Sequence, residues 1–223
     1  MNDRSASRGR RARGGDEGVG KAVRATMAAH RERILKAAEK LFSTRGYHGT
    51  SLRDIAEEAQ VSLGNIYNHF EDKLRLFETL MDELEARYLA PTEPIPQALA
   101  KLEFPDGLET LGEAARETVR KFASYIRLIY VDVIEFEGKH LGRLYGGMKD
   151  RFRAIFGEKF AKLERDGAIG DVDPLTAIML VNITYMHYFT VEHLFGVKKH
   201  YGFDDGRLIK EFARVFRNGI LKR

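Results

Sequence analysis

The chain has 223 residues, 43% hydrophobic and 31% charged, with a net charge of +4. That is the balance of a folded, water-soluble protein long enough for two domains. The absence of cysteine excludes disulfides, zinc–thiolate centres and cysteine nucleophiles, and suits a reducing cytoplasm.

The first 27 residues carry Arg4, Arg8, Arg10, Arg11, Arg13, Lys21 and Arg24 against Asp3, Asp16 and Glu17, with glycines interspersed. A segment of this kind buries no core, so a flexible basic arm over 1–27 is expected, able to add phosphate contacts. From about Ala28 to Arg45, the residues Ile34, Leu35, Ala38, Leu41 and Phe42 recur at three- and four-residue spacing, one apolar stripe of an amphipathic helix. Gly46 ends it. Ser51 and Asp54 are placed as a capping box before Leu52, Ile55, Ala56 and Ala59, and a tight turn at Gln60-Val61 leads to a short helix from Ser62 to His69.

A fourth helix begins near Asp72 and carries Leu74, Phe77, Leu80, Met81, Leu84 and Tyr88. Four of the five prolines, Pro91, Pro94, Pro96 and Pro105, then crowd together and mark a domain boundary. Two or three helices are expected between Gly107 and Asp166, with breaks near Gly138 and Gly142. Two more are expected at about Pro174–Phe195, starting behind Asp173, and Gly206–Leu221. No period-two alternation or hairpin signal occurs, so the expected fold class is all-α. The longest apolar-rich run, Ala177–Val191, is too short for a bilayer and contains Asn182 and His187. With no signal-peptide core among the first residues, no membrane association is expected, and the expected location is cytoplasmic.

Residues 51–70 have the form of a helix-turn-helix, whose second helix can enter the major groove of DNA. Ala56 is the small residue that close helix packing needs, with Ile55, Val61, Ile66 and Phe70 as the core behind it. With Ile66 and Phe70 inward, Gly64, Asn65 and Asn68 are expected on the outer face, where amides suit groove reading. Tyr67 and His69 are expected on the flanks within reach of phosphates, and Lys73 to hold another phosphate.

The run Arg33-Ile34-Leu35-x-x-Ala38-x-x-Leu41-Phe42-x-x-x-Gly46-Tyr47-x-x-Thr50-Ser51-Leu52-x-x-Ile55-Ala56 is followed by Val61-Ser62-x-Gly64-x-Ile66-Tyr67-x-His69-Phe70-x-x-Lys73. It closely resembles the N-terminal DNA-binding domain of the tetracycline-repressor (TetR) family, over roughly residues 28–88. By that resemblance Leu63, Gly64, Asn65, Tyr67, Asn68 and His69 belong to the recognition helix, which opens at Ser62. Arg53 sits where relatives place a base- or phosphate-contacting side chain, and Ser51 and Lys73 match the backbone anchors. Gln60 departs from the glycine usual in the turn, at a cost on the order of 1 kcal/mol for a left-handed residue.

Past residue 88 the resemblance is to architecture: a larger helical domain, 89–223, that binds an inducer and dimerises through its last two helices. The final helix fits with Leu208, Phe212, Val215, Phe216 and Ile220 as an apolar stripe. A homodimer of this kind implies a palindromic double-stranded operator and, as in most relatives, repression. Aromatic and polar residues of the middle and penultimate helices, Phe122, Tyr125, Ile129, Phe152, Phe156, Asn182, Tyr185, Met186, His187 and Phe189, are the candidate lining of a pocket for a hydrophobic inducer. The alternative is a helical DNA-binding protein without ligand control.

No catalytic residue, metal site or cofactor is expected. A di-metal bundle needs two Glu-x-x-His pairs. The one present, Glu137-x-x-His140, reads as solvated surface. His187 and His193 do not share a helix face, and the acidic stretch 166–173 lacks calcium-loop spacing. No phosphate-binding glycine loop, dinucleotide fingerprint or Gly-x-Ser-x-Gly occurs.

Overall fold

A computed structural model describes residues 13–167 and 172–220, and those residues form helices with no strand among them. The apolar stripe of the first helix, α1 (Arg13–Arg45), is buried at Ile34, Leu35, Ala38, Leu41 and Phe42. The helix stops where Gly46 takes φ 77° and its N–H closes on the Phe42 carbonyl, a conformation open to residues without a Cβ. The α1 helix also starts much earlier than residue 28. Of the basic arm expected over 1–27, residues 13–27 are helical, and residues 1–12 lie outside the described residues. The physical reason is propagation: Lys21-Ala22 and Met27-Ala28-Ala29 favour helix, and extending a formed helix is far easier than nucleating one.

Three shorter steps complete this part of the chain: α2 (Leu52–Ala59), α3 (Leu63–Tyr67) and α4 (Lys73–Tyr88). Phe42, Ile55, Ile66, Phe70, Leu76 and Phe77 are all buried here. Each such side chain contributes about 1.5–3 kcal/mol of transfer free energy. Phe42 stacks on Tyr47 and meets Phe77 edge-on, at centroid distances of 5.6 and 5.5 Å. The chain divides into two compact units, and the division falls inside α4, between Leu80 and Met81.

The second unit holds α5 (Pro94–Lys101), α6 (Leu108–Lys121), α7 (Ala123–Glu135), α8 (Lys139–Gly146), α9 (Met148–Arg165), α10 (Pro174–Phe189) and α11 (Asp205–Ile220). A π-helical turn, Thr190–Leu194, extends α10. The proline-rich stretch is therefore not wholly a linker. Pro94 and Pro96 occupy the first turn of α5, where a missing N–H costs nothing. Gly138 does break the chain, at φ 70°, but Gly142 lies inside α8.

The α10 helix is apolar nearly all round because it is central, packing against α6, α9 and α11. Asp173 caps it through Thr176 N–H at 3.0 Å, with Pro174 in its first turn. Gly112 on α6 is what lets these helices close up: a Cβ there would stand 2.9 Å from Tyr185 Cε1 and 3.0 Å from Ile209 Cγ2. Tyr185 in turn donates its hydroxyl hydrogen bond to the Ile209 carbonyl at 3.1 Å, tying α10 to α11.

Candidate nucleic-acid interface and candidate ligand cavity

Residues 51–70 form a helix-turn-helix held by its own side chains. The Ser51 N–H donates to Asp54 Oδ2 at 2.8 Å, and the Asp54 N–H to Ser51 Oγ at 3.2 Å, the reciprocal capping box. The Ser51 hydroxyl, which donates to Asp54 Oδ2 at 2.6 Å, and then the Ser51 N–H hold the Asp54 carboxyl below the usual range. Gln60 takes the left-handed conformation expected of it, φ 54° and ψ 47°, and the Val61 N–H reaches back to the Ala56 carbonyl. Ser62 then caps α3 by accepting from the Asn65 N–H at 3.1 Å. Ile66 and Phe70 are buried, so the orientation of α3 is set by packing and by two caps rather than by a loop.

That orientation leaves Ser62, Gly64, Tyr67 and Asn68 exposed, Tyr67 by 55%. An added Cβ on Gly64 would meet nothing closer than 3.9 Å, so a groove wall could approach its backbone closely. Leu63 and His69 are half-buried, and Ser51 and Arg53 are exposed on the approach to α2 and on α2 itself.

Two expectations are corrected. Asn65 does not face outward: its Nδ2 donates to His30 Nδ1 on α1 at 2.9 Å, and its Oδ1 is buried. At 100° per residue Asn65 lies only 100° from the inward Ile66, on the flank facing α1, whereas Gly64 and Asn68 lie opposite. Lys73 is not a simple phosphate anchor either. Its ammonium donates to the carbonyls of Tyr47 and Thr50, each at 2.9 Å, and sits 4.1 Å from the Tyr47 ring centroid. Two of its three donors therefore clamp the α1–α2 turn.

His30 and Arg31 are the residues that the sequence did not single out. Arg31 lies 5.7 Å over the Phe70 ring. Burial first, then the charges of His30 and Arg31, hold the His69 pKa below 6.5.

The second unit encloses a cavity of about 820 Å³. Of the candidate lining residues, Ile129, Phe152, Asn182, Met186 and His187 face it, and the other five do not. Phe156 is packed on Phe160, Phe122 on Tyr88, and Phe189 stacks with Tyr185, whose hydroxyl is held by α11. Tyr125 is turned to His140 Nε2 at 2.9 Å. Rings at helical spacing fill the core first, and only some of them border the void. The walls come instead from Tyr88, Ile95, Tyr130, Leu144, Met148 and Arg151, among others.

His140 is likewise no solvated residue. It is 3% exposed, with Nε2 3.1 Å from the Glu85 carboxylate and Nδ1 3.2 Å from Arg143 Nη2. Arginine only donates, so Nδ1 accepts and the proton resides on Nε2. Burial dominates and pushes the His140 pKa below 6.5. Among the described residues no group of three or more His, Cys, Asp or Glu could hold a metal ion, and no helix is long and apolar enough to cross a membrane.

A capped helix-turn-helix thus precedes a larger all-helical unit that holds a cavity. Residues 34–80 match the family model for bacterial regulatory proteins of the tetR family, so this stretch has the DNA-binding domain of that family. It is 37% identical over 102 residues to the HTH-type transcriptional repressor BepR of Brucella suis, a match that spans 46% of this chain and about half, 47%, of BepR. It is 28% identical over 173 residues to the HTH-type transcriptional regulator RutR of Escherichia coli K12, covering 76% of this chain and 78% of that one. Among solved structures it is similar in fold to a TetR family transcription regulator from Marinobacter aquaeolei, with a TM-score of 0.60 at 14% identity over 90% of this chain and 100% of that one. A transcriptional regulator of Aquifex aeolicus gives a TM-score of 0.57 at 18% identity over 85% and 98%.

Proposed function

We propose that the protein is a cytoplasmic, sequence-specific repressor that binds a palindromic operator as a homodimer and leaves it when a small apolar molecule occupies the second unit. The observation that carries this reading is the capped α3, whose outward face of Gly64, Tyr67 and Asn68 is exposed on a rigid support. Residues 28–88 supply the DNA grip, with Ser51, Arg53 and Tyr67 toward phosphates and Gly64 and Asn68 toward bases. Residues 89–223 supply the sensor, and α10 and α11 the dimer contact. Leu180 on α10 and Val215 on α11 are 54% and 63% exposed, as an apolar surface awaiting a second copy requires. The cavity favours ligand control over an architectural role, because a void of this volume stabilises nothing when empty.

A ligand can release DNA only by binding the released state more tightly. The experiment is a thermal-stabilisation screen followed by operator binding at saturating ligand. At a hundredfold excess over Kd a ligand adds about 2.7 kcal/mol of stability. It should then lower operator affinity at least tenfold. Stabilising ligands that all leave operator affinity unchanged would refute the inducer reading.

A further inference from the structure

Resting on the ligand-binding reading above, we propose that the cavity takes an amphipathic organic acid, its carboxylate at Arg151 and a hydroxyl or amide N–H donor at Asn182. The walls are aliphatic and aromatic, and no aspartate or glutamate lines them. Arg151, from α9, is the one side chain of fixed charge in that lining. Its Nη2 donates to the Leu144 carbonyl, and among the described residues it has no carboxylate partner. Arg151 is half-buried, and without a carboxylate partner its guanidinium keeps N–H donors that an entering anion can take. An entering ammonium is repelled. The planar fork of arginine also matches the two oxygens of a carboxylate, which a point charge does not.

The second polar group sets a second requirement. Asn182 Oδ1 is buried and accepts no hydrogen bond. The Thr190 hydroxyl cannot satisfy it, being donated to the Met186 carbonyl at 2.8 Å. A bound molecule with a donor at that point pairs an acceptor that is otherwise left without one. Burial pushes the Tyr88 phenol, also in the wall, up to about 12. Exposed Tyr130, Val133, Tyr145 and Ile155 mark where the cavity opens to solvent and an elongated body can enter.

The test uses the full chain and titration calorimetry below micelle-forming concentrations, with two bodies, dodecyl and naphthylethyl, each carrying a carboxylate, an alcohol or an amine. In at least one series the acid should bind ten times or more tighter than its alcohol and amine. Arg151→Gln should bring the three within about threefold of each other, and Arg151→Lys should keep part of the preference. At least one monohydroxydodecanoate should bind tighter than dodecanoate, and Asn182→Leu should abolish that gain. Circular dichroism checks that each variant is folded. Alcohols or amines binding as tightly as acids, a preference that survives Arg151→Gln, or no acid binding at all overturns the proposal. If neutral members bind while acids do not, the sensor reading stands and only this inference falls. If neither these compounds nor a broad panel of apolar metabolites binds, the sensor reading itself falls.

Discussion

Replacing Lys73 with methionine separates the phosphate contact expected from the sequence from the clamp seen in the structure. Methionine keeps most of the aliphatic stem and removes the ammonium. That deletes two hydrogen bonds of 2.9 Å to the Tyr47 and Thr50 carbonyls, and a cation held 4.1 Å from the Tyr47 ring. Hydrogen bonds from a charged donor are worth about 1.5–3 kcal/mol each, and an exposed cation–π contact about 0.5–1 kcal/mol. Lys73 is only half-buried, so water can take over part of the pairing, and a net loss of about 2–4 kcal/mol follows. In a chain of this length that lowers Tm by roughly 4–16 °C. Differential scanning calorimetry reads the transition without assuming that both units melt together. DNA affinity should fall with the fold, alike for operator and random sequence. The reasoning is refuted if Tm stays within a degree while the salt dependence of DNA binding loses about one phosphate contact, the signature of a plain backbone anchor.

Tyr67→Phe should leave Tm unchanged, since the ring is exposed, yet weaken operator and random DNA together; Asn68→Ala should instead relax preference at one base position, measured by competition between operator variants. Gly112→Ala drives a Cβ to 2.9 Å from the Tyr185 ring, and overpacking of that kind costs about 1–3 kcal/mol by urea denaturation. His69 and His140 both have pKa values held below 6.5 in the folded protein, by burial above all. The unfolded chain therefore takes up their protons first as pH falls. Stability from these groups is fully present above pH 6.5, declines as pH drops below it, and levels off beneath the folded pKa values. A variant with both histidines changed to glutamine should show a flatter stability profile between pH 7 and 5 than the parent, by at most the slope that linkage assigns to two protons.

The DNA-facing unit was legible because its signals are local. The capping box at Ser51 and Asp54, the left-handed turn at Gln60 and the Ser62 cap each depend on residues three or four apart. What stayed hidden there was Asn65, whose partner His30 is thirty-five residues away on α1, a separation that local spacing does not encode. In the second unit a stripe of rings told that Tyr125, Phe156, Tyr185 and Phe189 are inside but not which of them border empty space. That depends on how α7, α8, α9 and α10 pack, which periodicity does not encode. His140 was misread for the same reason: its neighbours Glu85 and Tyr125 are distant in sequence.

The central claim is sequence-specific binding through α3, and the most direct measurement is fluorescence anisotropy at fixed 150 mM salt, a value of about physiological ionic strength. An inverted repeat selected from a random DNA pool is compared with a scrambled duplex of equal length and composition. The account predicts affinity for the repeat at least about a thousandfold higher, with two subunits bound per site. Equal affinity for both duplexes would contradict it.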